Sequence, residues 1–215
     1  MAFFFHKVTP ILRSIYPEMT WRIPSSEPTI YLTFDDGPIP EATEFVLQEL
    51  ANFEAKATFF CIGDNIRKHP SIFQQLLAQG HSVGNHTFNH LKGWNTDDET
   101  YFANVAQCQD LLPPTRLFRP PYGRIRKRQA AYLKEHHQLI MWDVLTGDYS
   151  PSLKPEQVLR GTTKACESGS LVVFHDSIKA WKNMSYALPR TLDYLAERNF
   201  KFAALPMGNA EGGSR

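Results

Sequence analysis

TIYLTFDDGP, residues 29–38, carries an apolar, β-prone run straight into two adjacent carboxylates and a turn. Its first six residues read as a strand, and the Asp-Gly and Gly-Pro pairs end it. EATEFVLQELANF follows, with Phe45, Val46, Leu50 and Phe53 on one face at helical spacing. ATFFCI gives a second strand, and IFQQLLAQ a helix that stops at Gly80, as a C-terminal glycine cap would make it. HSVGN, RLF, LIMWDV, LVVF and FKFAAL are further short apolar runs, separated by helical stretches near 98–112, 126–137, 155–166 and 187–199. About seven strand–helix units in alternation imply one α/β domain, a parallel sheet covered by helices. Periodicity does not separate a closed or nearly closed barrel from an open doubly wound sheet; the barrel is the expected form.

The bulk numbers set the frame. A chain of 215 residues with 42% hydrophobic and 21% charged residues suits one globular domain. A formal net charge of +1 gives no reason to expect nucleic acid or an anionic membrane surface as partner. The apolar start MAFFF is broken by His6 and Lys7, and the next run by Pro10, Arg13 and Pro17, so no membrane span or secretory core is visible. The default expectation is the cytoplasm, or an extracytoplasmic site if a leader was removed. Cys61, Cys108 and Cys166 are odd in number, far apart and without a CxxC pair, which points to packed free thiols.

The polar residues fall in a pattern. Asp35 and Asp36 follow TIYLTF, His86 follows HSVGN, Arg119 follows RLF, Asp148 lies just beyond LIMWDV, and His175 ends LVVF. In parallel α/β folds the carboxyl ends of the strands converge on one face, where active sites are built. Residues up to 140 positions apart in the sequence can thus meet in one pocket.

HTFNH sets His86 and His90 four apart, one helical turn if the segment is helical, a common geometry for two ligands on one zinc-like ion. A capped helix start with two surface histidines is the plainer alternative. A neighbouring strand-end carboxylate would complete a two-histidine, one-carboxylate site. The Asp35-Asp36 pair fits that need, because adjacent residues leaving a strand point in different directions. One can bind the ion while the other takes a proton from water; an Asx turn alone explains one aspartate but not two. In RPPYG, neither proline has an N–H, so the next free amide is that of Tyr122, a candidate oxyanion donor. Arg119 could hold the base carboxylate ionised. His175 could give a proton to a leaving group if a carboxylate orients its ring. Asp148 is the candidate partner, with Asp143 as competitor. Trp94 and Trp181 could stack on sugar or simply cover the core. His6, His69, His136 and His137 read as solvated, and His81 as structural.

With TFDDGP, HTFNH, RPPYG, GDY and VVFHD in this order, the chain resembles the polysaccharide deacetylases of carbohydrate esterase family 4, the NodB-homology domain, from about Ile30 to Leu205. The resemblance implies a distorted, partly open β/α barrel over 30–206, with residues 1–29 as an extension packing on it and 207–215 as a flexible tail. It implies a hydrolase removing N-acetyl groups from N-acetylglucosamine-containing poly- or oligosaccharide, chitin-like or peptidoglycan-like. Residue by residue, Asp35 would be the base, and Asp36, His86 and His90 the ligands of a divalent ion, zinc first and cobalt or nickel next. Arg119 would tether the base, Tyr122 give its N–H to the oxyanion, and His175 serve as acid. Two positions depart from the family pattern: Tyr149 stands where Trp usually follows the aspartate, and Val173 where Leu is common. The alternatives are hydrolysis of another amide, an imide or an O-acetyl ester, or a silent carbohydrate-binding domain.

Overall fold

A computed structural model describes residues 4–207. The expected tail beyond 207 and the first three residues lie outside the described residues. In chain order the elements are α1 (Pro10–Ile15), β1 (Thr29–Asp35), α2 (Ala42–Asn52), β2 (Thr58–Cys61), α3 (Gly63–Lys68), α4 (Pro70–Ala78) and β3 (Ser82–Asn85). These are followed by α5 (Asp98–Gln109), β4 (Leu117–Phe118), α6 (Lys127–Leu133), β5 (Gln138–Leu139) and β6 (Val144–Leu145). The last are α7 (Pro155–Ala165), β7 (Leu171–His175), α8 (Trp181–Ala196) and β8 (Lys201–Phe202).

All named strands pair in parallel, in the order β5-β4-β3-β2-β1-β7-β6, with β8 added at the start of β1. The edges of this sheet are β5 and β6, yet only residues 140–143 separate them in sequence. Five peptide steps span at most about 18 Å, whereas a flat sheet of this width would hold its edges nearly 30 Å apart. The sheet must therefore curl, and the expected partly open parallel barrel is what the structure shows. The same fact corrects the reading of LIMWDV as one strand. Ile140 N–H still bonds Phe118 O beside β5, but Asp143 N–H bonds Leu171 O beside β6, so the segment crosses the barrel's gap.

The N-terminal extension packs into that gap. Lys7 bridges Val144, Thr20 bridges Ile140 and Arg22 bridges Ser170. Buried Asp143 anchors it, binding Lys7 Nζ at 2.8 Å, the Arg13 guanidinium and the Ser170 hydroxyl at 2.7 Å. Inside the sheet, Phe34 stacks between Phe59 and Phe174 from the strands on either side. Ile30, Leu32, Val172, Leu188 and Leu192 are fully buried in the same core. Each such side chain contributes about 1.5–3 kcal/mol by leaving water. The three cysteines are free, with Cys61 and Cys108 buried, as expected.

The last long helix differs at both ends: α8 runs from Trp181 to Ala196 rather than over 187–199, with Pro189 inside it. That helix start, packed edge-on to Phe45 at 5.3 Å, is where Trp181 sits. His81 accepts the Ala57 N–H and is structural. His137 is not solvated as expected: burial lowers its pKa to about 4.

Candidate active site

The carboxyl ends of the strands open into a cleft of about 1020 Å³ lined by Asp35, Asp36, His86, His90, Tyr122, Tyr149, Val173 and His175, among others. Asp35 is the last residue of β1 and pairs in register with His175, the last of β7. Parallel pairing alone thus brings together residues 140 apart in the sequence.

Arg119 leaves β4 and turns inward with no exposed surface. Its Nη1 donates to Asp35 Oδ1 and to Thr33 Oγ1, both at 2.7 Å, while Nη2 and Nε reach the carbonyls of Met141 and Ile140. The Phe60 ring lies 4.1 Å beneath the guanidinium. A buried arginine satisfied this fully is a fixed charge, and it holds one oxygen of Asp35 while the other lies 4.0 Å from His86 Nε2.

Asp36, His86 and His90 each present a ligand atom, all within 4.8 Å of one another. Asp36 Oδ1 lies 3.2 Å from His90 Nε2 and 3.9 Å from His86 Nε2. Ligands held about 2 Å from one zinc-like ion lie about 3–4 Å apart, so the spacing fits. Asp36 Oδ1 is also buried without a hydrogen-bond partner. Such an oxygen is costly in a folded chain unless a cation satisfies it. His86 Nδ1 donates to Arg119 O at 2.7 Å, fixing the tautomer that frees Nε2. Burial lowers the pKa of both His86 and His90, and His90 adds to the effect on His86; neutral imidazole is the ligating form.

The HTFNH segment is a turn, not the helix that its spacing permitted. Thr87 and His90 adopt positive φ of 63° and 57°, and Asp36 (89°) and Tyr122 (60°) do likewise. Thr87, being β-branched, is a genuine outlier there, and four non-glycine residues with positive φ around one site match the way strain gathers at functional sites. Asn85 and Asn104 hold the turn: Asn85 Oδ1 accepts from Thr87 N–H, and Asn104 Oδ1 from Phe88 and Asn89 N–H. In the RPPYG turn, the Gly123 and Arg124 amides serve the Pro120 and Pro121 carbonyls, which leaves Tyr122 N–H as the candidate donor.

Of the two aspartates considered for His175, the structure pairs it with Asp148. Asp148 Oδ1 accepts from His175 Nδ1 and Oδ2 from His175 N–H, both at 2.8 Å. Asp143 is instead committed to the N-terminal extension. Burial disfavours the imidazolium, but Asp148, with Asp36 and Asp35 behind it, outweighs burial and raises His175 to about 9. Tyr149 stands edge-on to the His175 ring at 4.9 Å.

Sequence reasoning missed three supports. Thr33 braces Arg119. Asn104 shapes the histidine turn from α5. Asp176, fully buried, accepts from Gly37 N–H at 3.1 Å and the Thr43 hydroxyl at 2.6 Å, clamping the DDGP loop. Only Asp176 carried a signal, as a charged residue next to an apolar strand.

A family model described as polysaccharide deacetylase matches residues 22–139, more than half the chain. The peptidoglycan-N-acetylglucosamine deacetylase of Bacillus cereus is 32% identical over 194 residues, covering 87% of this chain and 91% of that protein. The chitooligosaccharide deacetylase of Azorhizobium caulinodans is 32% identical over 162 residues, 72% of this chain and 77% of the other. Among solved structures, the Bc1960 peptidoglycan N-acetylglucosamine deacetylase superposes with a TM-score of 0.84 at 26% identity, over 93% of this chain and 96% of that one. The chain therefore belongs to the polysaccharide deacetylase family of carbohydrate esterase family 4, hydrolases of N-acetyl amide bonds.

Proposed function

We propose that this chain removes N-acetyl groups from an N-acetylglucosamine-containing poly- or oligosaccharide with the help of one divalent ion, zinc first. The observation that carries the reading is the meeting of three units on one cleft: Asp36, His86 and His90, then Asp35 with Arg119, then His175 with Asp148. A binding domain has no use for an orphaned carboxylate oxygen and an aspartate-paired histidine lining the same cleft. The names of the relatives, which act on peptidoglycan and on chitooligosaccharide, supply the substrate class.

Asp36, His86 and His90 would hold the ion, which when bound supplies Lewis-acid polarisation of the acetyl carbonyl and a lowered pKa for water. Asp35, with one oxygen held by Arg119, takes a proton as water adds to the carbonyl carbon. The Tyr122 N–H donates to the developing oxyanion, a contribution of about 3 kcal/mol for a single donor. His175, charged at neutral pH because of Asp148, gives its proton to the departing nitrogen as the C–N bond breaks. The products are acetate and a free amino sugar. Acetate release from an N-acetylglucosamine oligomer, measured on chelator-stripped protein titrated with zinc or cobalt, tests this reading. Activity should vanish on stripping and return at about one ion per chain. An O-acetyl ester cleaved faster than the amide would move the reading to esterase chemistry.

A further inference from the structure

The cleft has charges that the chemistry above leaves unused. Lys92, Arg124 and Lys179 line it, and among the described residues its only carboxylates are Asp35 and Asp36. Asp35 is engaged by Arg119, and Asp36 belongs to the histidine cluster. Among the described residues, no carboxylate pairs with Lys92, Arg124 or Lys179. Two of these cations are held over aromatic rings instead. The Arg124 guanidinium lies 4.3 Å from the Trp94 ring centre, and Lys179 Nζ lies 5.5 Å from that of Tyr149, the ring edge-on to His175. An aromatic face steadies a cation while leaving its N–H donors available to a ligand.

Behind Arg124 the chain continues as RIRKR, residues 124–128, in which Arg126 and Arg128 lean on the single carboxylate of Asp98. Asp97 also lies near Arg126, so the excess of positive charge is at the cleft itself, where Lys92, Arg124 and Lys179 have no carboxylate partner among the described residues, although the whole chain carries a formal charge of only +1. A neutral chitin-like strand would gain little from that concentration of charge, and the cations would pay for their mutual repulsion. A strand bearing carboxylates would be drawn to it.

Resting on the deacetylase reading, we infer that the preferred substrate is an acidic saccharide, one whose sugars next to the acetamido residue bear carboxylates that Lys92, Arg124 and Lys179 meet. Arg124 suits a carboxylate best, through its planar donor fork. Lys179 lies over Tyr149, the ring beside His175, whereas Arg124 follows Tyr122 by two residues and Lys92 adjoins Gly93, whose N–H bonds Arg124 O, so the cations belong to two separate stretches of the cleft lining.

The test uses the zinc-loaded full chain and two oligosaccharides differing only in charge: a carboxylate-bearing N-acetylated oligomer and the same oligomer with those carboxylates converted to primary amides. The acid form should show kcat/KM about tenfold higher, the scale of three partly exposed ion pairs. Raising the salt should shrink the ratio by screening. In the K92Q/R124Q/K179Q variant the ratio should fall towards one, and a ratio does not depend on how much of the variant is folded. Equal kcat/KM for the two oligomers, or a preference that survives in the triple variant, would overturn the inference. If neither oligomer releases acetate, the deacetylase reading fails, and calorimetric affinities of the same pair decide the charge preference alone. Equal affinities would then sink it, and tighter binding of the acid form would keep it.

Discussion

Two sites on neighbouring parts of this barrel are built around buried carboxylates, and they differ in how fully those carboxylates are engaged. Asp143 is saturated: Lys7, Arg13 and the Ser170 hydroxyl take up its oxygens, and the whole assembly ties the N-terminal extension to β6 and β7. At the cleft, Arg119 holds one oxygen of Asp35, and Asp148 engages both the ring and the backbone of His175. Asp36 Oδ1, by contrast, has no hydrogen-bond partner. Burial and charge are common to both clusters. What separates structure from chemistry is the unfilled capacity to bind, together with the left-handed backbone at Asp36, Thr87, His90 and Tyr122.

The largest effect should come from Asp35→Asn, which removes the proton acceptor but keeps the shape and the Arg119 contact. The turnover rate should drop by about two to four orders of magnitude, the usual worth of a positioned base, with zinc affinity retained. Asp36→Ala should instead remove the zinc. Near-normal turnover in the first variant, or unchanged zinc binding in the second, would reverse the roles given to the pair.

Asp148→Asn should cost less in rate and leave a clearer signature. The acid must be protonated, so wild-type activity should fall as pH rises through the His175 value of about 9. Without the Asp148 charge, that limb should move to lower pH, towards the ordinary histidine value near 6.5. A pH–rate profile of kcat/KM for both proteins checks the sign, and an unmoved limb would detach Asp148 from the acid.

Asp143→Asn sharpens the contrast from the other side. Its partners are only partly buried, so the loss of the ion pairs should cost about 2–3 kcal/mol, at the low end for pairs with a buried member. For a chain of this size that corresponds to a drop of about 5–10 °C in Tm. Turnover per folded molecule and zinc affinity should stay as they are. Loss of turnover would mean that the extension takes part in shaping the cleft.

The sequence carried the site further than it carried the fold's closure. Asp35, His86, Arg119, Asp148 and His175 could be grouped because strand ends in a parallel sheet share a face, a rule that needs no knowledge of distances. The choice between Asp143 and Asp148 depended on which way each carboxylate faces across a six-residue stretch, and periodicity says nothing about a segment that crosses a gap. The same crossing hid the split of LIMWDV into β5 and β6. The left-handed turn in HTFNH was invisible because Asn104, which enforces it, lies fourteen residues beyond the motif. Lys179 and Arg124 belong to no motif, and only the cleft that they line groups them.

The most direct test of the division of labour between Asp35 and Asp36 is a zinc titration of stripped wild type and Asp35→Asn side by side, reading bound metal and acetate released from the same samples. The account predicts that both proteins bind about one zinc ion per chain and that only the wild type releases acetate. Failure of the wild type to bind zinc, or turnover by the zinc-loaded variant at the wild-type rate, would contradict it.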